Sequence, residues 1–467
     1  MHESSYLIHS NLLDNPKIHT TSSLHSSEGS PLPREASESN ALLEGILFPV
    51  DSPPETAYLS VISNLWRILM DRLTRLLFAT AVVVFLAGTA AWAQSPLRVG
   101  SVKPYLAETP HPYPMGTVDR AVVWTDTVVS PGAEFVRVHF SGLNLAPGDY
   151  VSVSSPDGSQ RWIYTDAGPR GDGDVWAFAI DGDTAIVKIH GGRGQGHGYR
   201  IDAVGHGDVR LDAKGPGPVP EVVCGTDGRE DVACYMPDAG FAAAQKPVAR
   251  LLFASGAYLY VCTGWLAKGA NESTLVTNNH CISRQREADS LQARFNFQVT
   301  ACGGVDDASH TSYAGGPILR TNNIRKHGRK DGLDYTLIAL MGNPEEFWGE
   351  LIPTTKPTAQ NDPIWFIQHP GGGRKTVGVW EDANHAVLCK LHEVDQSIKG
   401  IAPSSQNFYA CDSEGGSSGS PLVDPATGHV IGLHHFGGIT DNPCLNGGTE
   451  MPEICADAGS LLECAAD

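Results

Sequence analysis

Near the C-terminus the chain reads CDSEGGSSGSPLVDPATGHVIGLHHFGG, Cys411 to Gly438. Small residues crowd into a tight bend from Gly415 to Pro421, and a strand-like apolar run, HVIGL, follows at once. Glycine-serine runs usually link domains. This one lies between two strand-like segments and is too short for that. It sets Ser417 and Ser418 between glycines, with an acidic residue, Asp412, six positions before Ser418. A bend of this kind can present one hydroxyl outward while its backbone N–H groups converge.

The rest of the chain frames that bend. Its 467 residues suggest two or three domains. Hydrophobic content of 41% supports ordinary globular cores, while 51 Gly, 31 Pro and few long helical patterns favour an all-β chain. A formal charge of −19 argues against a nucleic-acid partner, because phosphate binding needs a basic surface. All ten cysteines lie between Cys224 and Cys464, without zinc-type CxxC pairs. In an exported chain that reads as up to five disulfides confined to one domain.

An export signal is present at an unusual place. MDRLTRLLFATAVVVFLAGTAAWAQ starts at Met70, with Arg72 and Arg75 before an apolar stretch and Ala91-Trp92-Ala93 before Gln94. This reads as a signal peptide over 70–93. Residues 1–69 are polar and aperiodic, and read as a mis-called upstream segment. The rival is a signal anchor with a disordered cytoplasmic tail. The expectation is a secreted protein, extracellular or periplasmic, with no stable membrane insertion after signal removal.

Residues 94–213 read as a β-sandwich-like domain. AEFVRVHF alternates, with Val136, Val138 and Phe140 on one face. GDYVSVSSPDG, WAFAIDGD and AIVKIH add short strands around Asp-Gly turns. His190, His197 and His206 lie in a glycine-rich stretch of irregular spacing, which reads as a surface loop and not a metal site. RGDGD at Arg170–Asp174 reads as a turn. A stiff Pro/Gly linker occupies 214–220, and the cysteine-bearing domain runs over 221–467.

Three stretches of that domain belong together. LYVCTGWLAKGANESTLVTNNHCIS carries His280, GLDYTLIAL carries Asp334 before a buried strand, and the opening bend carries Ser418. A hydroxyl near neutral pH needs a base within reach, and the base needs a carboxylate to fix its tautomer. It also needs donors aimed at a developing oxyanion. His280, Asp334 and Ser418 meet the first two needs, and the N–H groups of Gly416 and Ser418 the third. Each piece alone is weak; the order His–Asp–Ser with the glycine bend is what carries the signal.

The domain resembles the chymotrypsin-like (trypsin-fold) serine endopeptidases, most of all the bacterial lysyl endopeptidase and glutamyl (V8-like) endopeptidase branch. VVCGTDGREDV, CTGWLA, TNNHC, DYTLIAL, IQHPGGGRK and GSSGSPL with HVIGLHHFGG carry the resemblance, across nearly all of 221–455. It implies two six-stranded β-barrels with a cleft between them. It makes His280, Asp334 and Ser418 the triad of an enzyme that cuts protein or peptide substrates through an acyl-enzyme, with no metal or cofactor. It also implies disulfides Cys262–Cys281, Cys224–Cys302 and Cys389–Cys411, and leaves Cys234, Cys444, Cys455 and Cys464 open.

The resemblance places Asp412 and Ser413 at the floor of the substrate pocket, where a carboxylate would select Lys or Arg. The local alternative is that Asp412 bonds to nearby backbone and points away. Glutamyl relatives use a histidine in the strand after the serine, so His434 and His435 keep acidic specificity open. Ser417 stands where trypsin has an aspartate that captures a new N-terminus, so that ion-pair switch is absent. Residues 94–220 then serve as a removable prosegment, or as an attached domain that binds substrate or a surface. The remaining rivals are a degenerate protease used as a binding protein, and a hydrolase of small esters that would use the same residues.

Overall fold

The computed structural model describes residues 96–466, apart from 119, 193–195, 211–219, 272, 324–331, 399–400 and 440–441. The upstream segment, the signal sequence and most of the Pro/Gly linker therefore lie outside the described residues.

Nine strands build the N-terminal part: β1 Leu97–Glu108, β2 Ala121–Val129, β3 Phe135–Ser141, β4 Tyr150–Ser154, β5 Arg161–Thr165, β6 Asp174–Trp176, β7 Ile180–Asp181, β8 Thr184–Gly191 and β9 Arg200–Gly207. Period-2 alternation decides their faces. In β8, Ala185, Val187 and Ile189 point inward while their neighbours stay half exposed. One sheet runs β2-β8-β4-β5; the other runs β1-β9-β3-β6, with β7 also on β3. Val136, Val138, Phe140, Val151, Val187 and Ile201 fill the space between them. Each such side chain stabilises the sandwich by roughly 1.5–3 kcal/mol relative to exposure.

The sandwich is not a bead on a string. The first half of β1 pairs antiparallel with β13 (Tyr258–Leu266), from Leu97 opposite Val261 to Ser101 opposite Tyr258. One sheet of the sandwich thus runs on into the next domain. Val99, Phe135, Ala179, Leu252, Leu259 and Val261 form a shared apolar seam. Buried Arg137 crosses it, donating to the carbonyls of Ala177 at 3.0 Å and Ser290 at 2.9 Å.

The next domain opens with β10 (Pro220–Val222) and β11 (Arg229–Asp231). A closed six-stranded barrel follows: β12 Val248–Ser255, β13, β14 Thr274–Thr277, β15 Gln292–Phe295, β16 Thr311–Asn322 and β17 Tyr335–Leu340. Their order is β12-β15-β16-β17-β14-β13, and β13 returns to β12. β12 is buried along almost its whole length because its inner side chains fill the barrel and its outer ones meet the sandwich.

The second sheet uses β18 Trp365–Gln368, β19 Thr376–Gly378, β20 Leu391–Gln396, β21 Gln406–Tyr409, β23 Pro421–Val423, β24 Val430–Ile439 and β25 Asn442–Glu450, with β22 Ser413–Glu414 pairing separately with β10. Its order is β11-β19-β18-β23-β24-β25-β21-β20. A bridge between Pro363 and Lys390, and an N–H bond from Ile364 to Cys389, return β20 to the run before β18. The sheet so curls round on itself, with β19 and β11 added beyond the six expected strands.

Five disulfides tie this part together: Cys224–Cys444, Cys234–Cys302, Cys262–Cys281, Cys389–Cys411 and Cys455–Cys464. The expected Cys224–Cys302 pair is corrected. Cys224 follows β10, which lies on β22 beside the second sheet, so its partner is Cys444 at the start of β25. Cys302 instead faces the turn Val232–Cys234, where the N–H of Gly303 bonds to Asp231 at 3.0 Å.

Candidate active site

Two strand ends and one bend meet between the barrel and the second sheet. β14 runs into Asn278-Asn279-His280, and the loop is pinned at each step. Thr277 Oγ1 donates to the Thr263 carbonyl at 2.8 Å, and Asn278 Nδ2 to the Asp334 carbonyl at 3.0 Å. Cys281 is bonded to Cys262 on β13, which fixes the residue after the histidine.

Asp334 stands just before β17 with φ of +52°, a left-handed backbone unusual for a side-chain-bearing residue. That twist sends its buried carboxylate back to His280. Oδ1 accepts the His280 backbone N–H at 2.9 Å, and Oδ2 lies 2.6 Å from His280 Nδ1. His435 Nδ1 lies 3.3 Å from the same Oδ2. Burial alone would raise the Asp334 carboxyl; the charge and hydrogen bond of His280, with help from His435, hold it well below the usual carboxylate range. The charged form is favoured because two imidazoles and a backbone amide face it.

The serine bend is anchored to the same place. Thr263 N–H donates to the Ser418 carbonyl at 2.8 Å, and Cys281 Sγ lies 3.9 Å from that oxygen. Ser418 is 2% exposed, and the His280 side chain 12%. Gly416 has φ of +101°, and a Cβ there would meet Gly372 N at 2.9 Å and the His369 carbonyl at 3.0 Å. Gly419, at +89°, would drive a Cβ to 2.1 Å from the Thr263 carbonyl. Both positions require glycine by conformation and by space. A turn at His369–Gly373 backs the bend, with Gly371 N–H donating to the Gly415 carbonyl at 2.8 Å.

The residues expected to line a substrate pocket fare differently. Asp412 is buried, and both its oxygens are taken: Oδ1 by Cys224 N–H at 3.0 Å and Oδ2 by Gly228 N–H at 2.7 Å. Backbone amides hold it, as the alternative had it, but amides distant in sequence, and burial pushes its carboxyl up. Ser413 Oγ donates to Asn446 Oδ1 at 2.7 Å. His435 Nδ1 faces Asp334, and its Nε2 lies 2.6 Å from Gln406 Oε1, so both ring nitrogens have a partner. His434 Nδ1 lies 2.5 Å from the Tyr409 hydroxyl. Ser417 donates to Gln368 Oε1 at 2.6 Å, and Gln368 Nε2 donates to the Asp412 carbonyl at 2.8 Å. Gln368 and the His369–Gly373 turn had no chemical signature to single them out; only their place in IQHPGGGRK marked the segment. Cys262, His280 and Cys281 offer atoms within 4.8 Å of one another, but both sulfurs are spent in a disulfide.

Residues 226–446 match the family described as "Lysyl endopeptidase, C-terminal domain". A curated relative, "Secreted RxLR effector protein 73" of Plasmopara viticola, is 28% identical over 328 residues, covering 67% of this chain and 77% of its own. Among solved structures, the active form of Rv3671c protease from M. tuberculosis overlaps with a TM-score of 0.34 and 15% identity, over 55% of this chain and 96% of its own. A Glu endopeptidase structure overlaps at 0.34 and 18%, over 49% and 94%. Overlaps this slight carry no argument; the strand order and the family match do. The chain carries a serine protease domain of trypsin-like fold, similar over residues 226–446 to the C-terminal domain of lysyl endopeptidases.

Proposed function

We propose that the protein is a secreted serine endopeptidase in which Ser418 is the nucleophile, His280 the general base and Asp334 the group that orients it. The observation that carries this reading is the two-point clamp of Asp334 on His280, at 2.9 and 2.6 Å, beside a serine held by the Thr263 N–H. The clamp puts the proton on Nδ1 and leaves Nε2 to take the proton of Ser418 Oγ. Attack on a peptide carbonyl forms a tetrahedral oxyanion, which the N–H groups of Gly416 and Ser418 would stabilise. His280 then protonates the leaving amine, and later activates the water that releases the acyl group.

The five disulfides fit an oxidising compartment, as does the leader-like stretch before Gln94. For the side chain read at P1, the family match supports Lys, with Arg its nearest chemical equivalent. A second reading, cleavage after Glu or Asp, is favoured by the commitment of both Asp412 oxygens to backbone amides and by His434 in the strand after the serine. The test is digestion of an unstructured protein by the processed chain, with every cut mapped by mass spectrometry and Ser418→Ala run alongside. Cuts after Lys or Arg that vanish in S418A support the first reading, and cuts after Glu the second. No cuts from a folded, disulfide-bonded domain would overturn the protease reading in favour of a binding protein.

A further inference from the structure

Directly behind the oxyanion bend lies a group of basic side chains that the proposed chemistry does not use. Arg250 of β12 and Arg294 of β15 are paired opposite each other across the antiparallel ladder. They therefore project from the same face of the sheet. Both are buried, at 0% and 3% exposure. Their guanidinium carbons lie 4.7 and 5.5 Å from the centre of one ring, Phe297. Like charges directly opposite repel, and burial removes the water that would screen them.

The protein offers these two groups little in return. Nε and Nη2 of both arginines are buried without a hydrogen-bond partner among the described residues, and Arg250 has one long contact, Nη1 to the Gly372 carbonyl at 3.4 Å. Arg137, as deeply buried and nearby, shows how a guanidinium is normally satisfied: its Nε and Nη2 meet carbonyls at 3.0 and 2.9 Å. The carboxylates whose charge reaches Arg250 and Arg294 are Asp181 and Asp307, and both are engaged elsewhere, with Gln160 and Arg374. Two imidazoles flank Phe297, His310 at 5.9 Å and His369 at 6.3 Å between ring centres. Burial and then the charges of Arg294 and Arg250 push His310 down to about 3, so it adds no positive charge of its own.

We propose that Arg250 and Arg294 hold a small monovalent inorganic anion, chloride in class, against Phe297 and the His369–Gly373 turn. Two desolvated cations side by side call for a counter-charge, and unmatched N–H donors call for acceptors. A halide meets both needs: it accepts from several directions and costs less to strip of water than a multiply charged oxoanion. The site lies one step from the bend. Arg250 is paired with Thr263, whose N–H and Oγ1 hold the carbonyls of Ser418 and Gly416 at 2.8 and 2.9 Å, and Gly372 packs where a Cβ on Gly416 would lie. The anion would stiffen the turn that supports the oxyanion donors.

The test reads stability, so it does not depend on hydrolysis. Thermal unfolding of the full processed chain is followed along a sodium chloride series, with sodium gluconate keeping ionic strength constant. Chloride at tenfold its dissociation constant should raise Tm by about 2 °C, and each further tenfold should add a similar increment. In Arg294→Met that increment should vanish. Crystals soaked in bromide supply the second measurement, with an anomalous peak expected between the two guanidinium groups. Equal Tm in chloride and gluconate, a chloride increment retained by R294M, or bromide bound only elsewhere would each overturn the assignment.

Discussion

Ser418 is almost wholly enclosed, and its carbonyl is held by the Thr263 N–H, so loss of its hydroxyl should leave the bend in place. Ser418→Ala is expected to lower kcat by about 10⁴–10⁶-fold with the circular dichroism spectrum unchanged. Asp334→Asn should cost about 10⁴-fold in kcat, because an amide favours the wrong tautomer of His280. Asp334 also carries a pH signature. Its folded carboxyl lies below its unfolded value, so its contribution is complete above about pH 5 and is lost as pH falls through the folded value. The stability gap between wild type and D334N should therefore narrow in denaturant titrations from about pH 4 downward. Glu450 runs the other way. Burial raises its carboxyl to about 7, although it accepts the Asp395 N–H at 2.7 Å. The unfolded chain releases that proton first, so stability falls between about pH 4.5 and 7. Glu450→Gln should remove this fall and gain up to about 3 kcal/mol at pH 8 over wild type, with no gain at pH 4. At this scale the sequence named His280, Asp334 and Ser418 because their chemistry is scarce and ordered. It gave no sign that His435 meets Asp334, and left Asp412 undecided, because their partners are remote: the amide that occupies Asp412 Oδ2 is 184 residues away.

Elements inherit the same split between local and distant causes. Alternation made the strands of the sandwich legible, and Val136, Val138 and Phe140 do face its core. The bend at Gly415–Pro421 was legible as a bend because glycine and serine mark one. Its backing was not: the His369–Gly373 turn meets it only through tertiary packing, as Gly371 N–H reaches the Gly415 carbonyl. Cys262–Cys281 and Cys389–Cys411 are paired as expected, but the partner of Cys302 was missed for the same reason, since Cys224 and Cys234 are both plausible until β10 is seen to lie against β22. The turn gives the bend a measurable rigidity. Gly416→Ala would have to hold an alanine at φ near +101° with its methyl 2.9 Å from Gly372 N. The bend should relax away from the oxyanion geometry. Hydrolysis of a peptide substrate should then fall by about 10²–10³-fold in kcat, the loss typical of one missing donor. KM should change little, because the ground-state carbonyl gains less from the hole than the transition state does.

At the scale of the whole molecule, the sandwich and the protease domain share a sheet. The composition break near residue 214 pointed to separate domains and a removable prosegment; it could not reveal that β1 is an outer strand of one domain and a neighbour of β13 in the other. Separation would strip the β13 residues Tyr258–Val261 of their ladder partners and leave an unpaired strand edge. It would also expose Val99, Phe135, Leu252 and Leu259 to water, and pull Arg137 from the Ser290 carbonyl. No disulfide spans the linker, since all ten cysteines lie beyond it, so once the linker is cut only non-covalent contacts hold the two parts together. A cleavage site for a specific protease engineered into 214–220 puts this to measurement. After cutting, the two fragments should co-elute from a sizing column in native buffer and separate only in denaturant. Val99→Asp, which buries an unpaired charge in the seam at a cost of about 3 kcal/mol or more, should let the cut fragments part without denaturant. If the unmutated fragments part on the column, cutting the linker releases residues 94–213 and the prosegment reading regains its ground. If they stay together, processing at the linker leaves a two-part enzyme whose sandwich remains beside Gly415, where Leu97 already packs at 3.4 Å from the site of a Cβ.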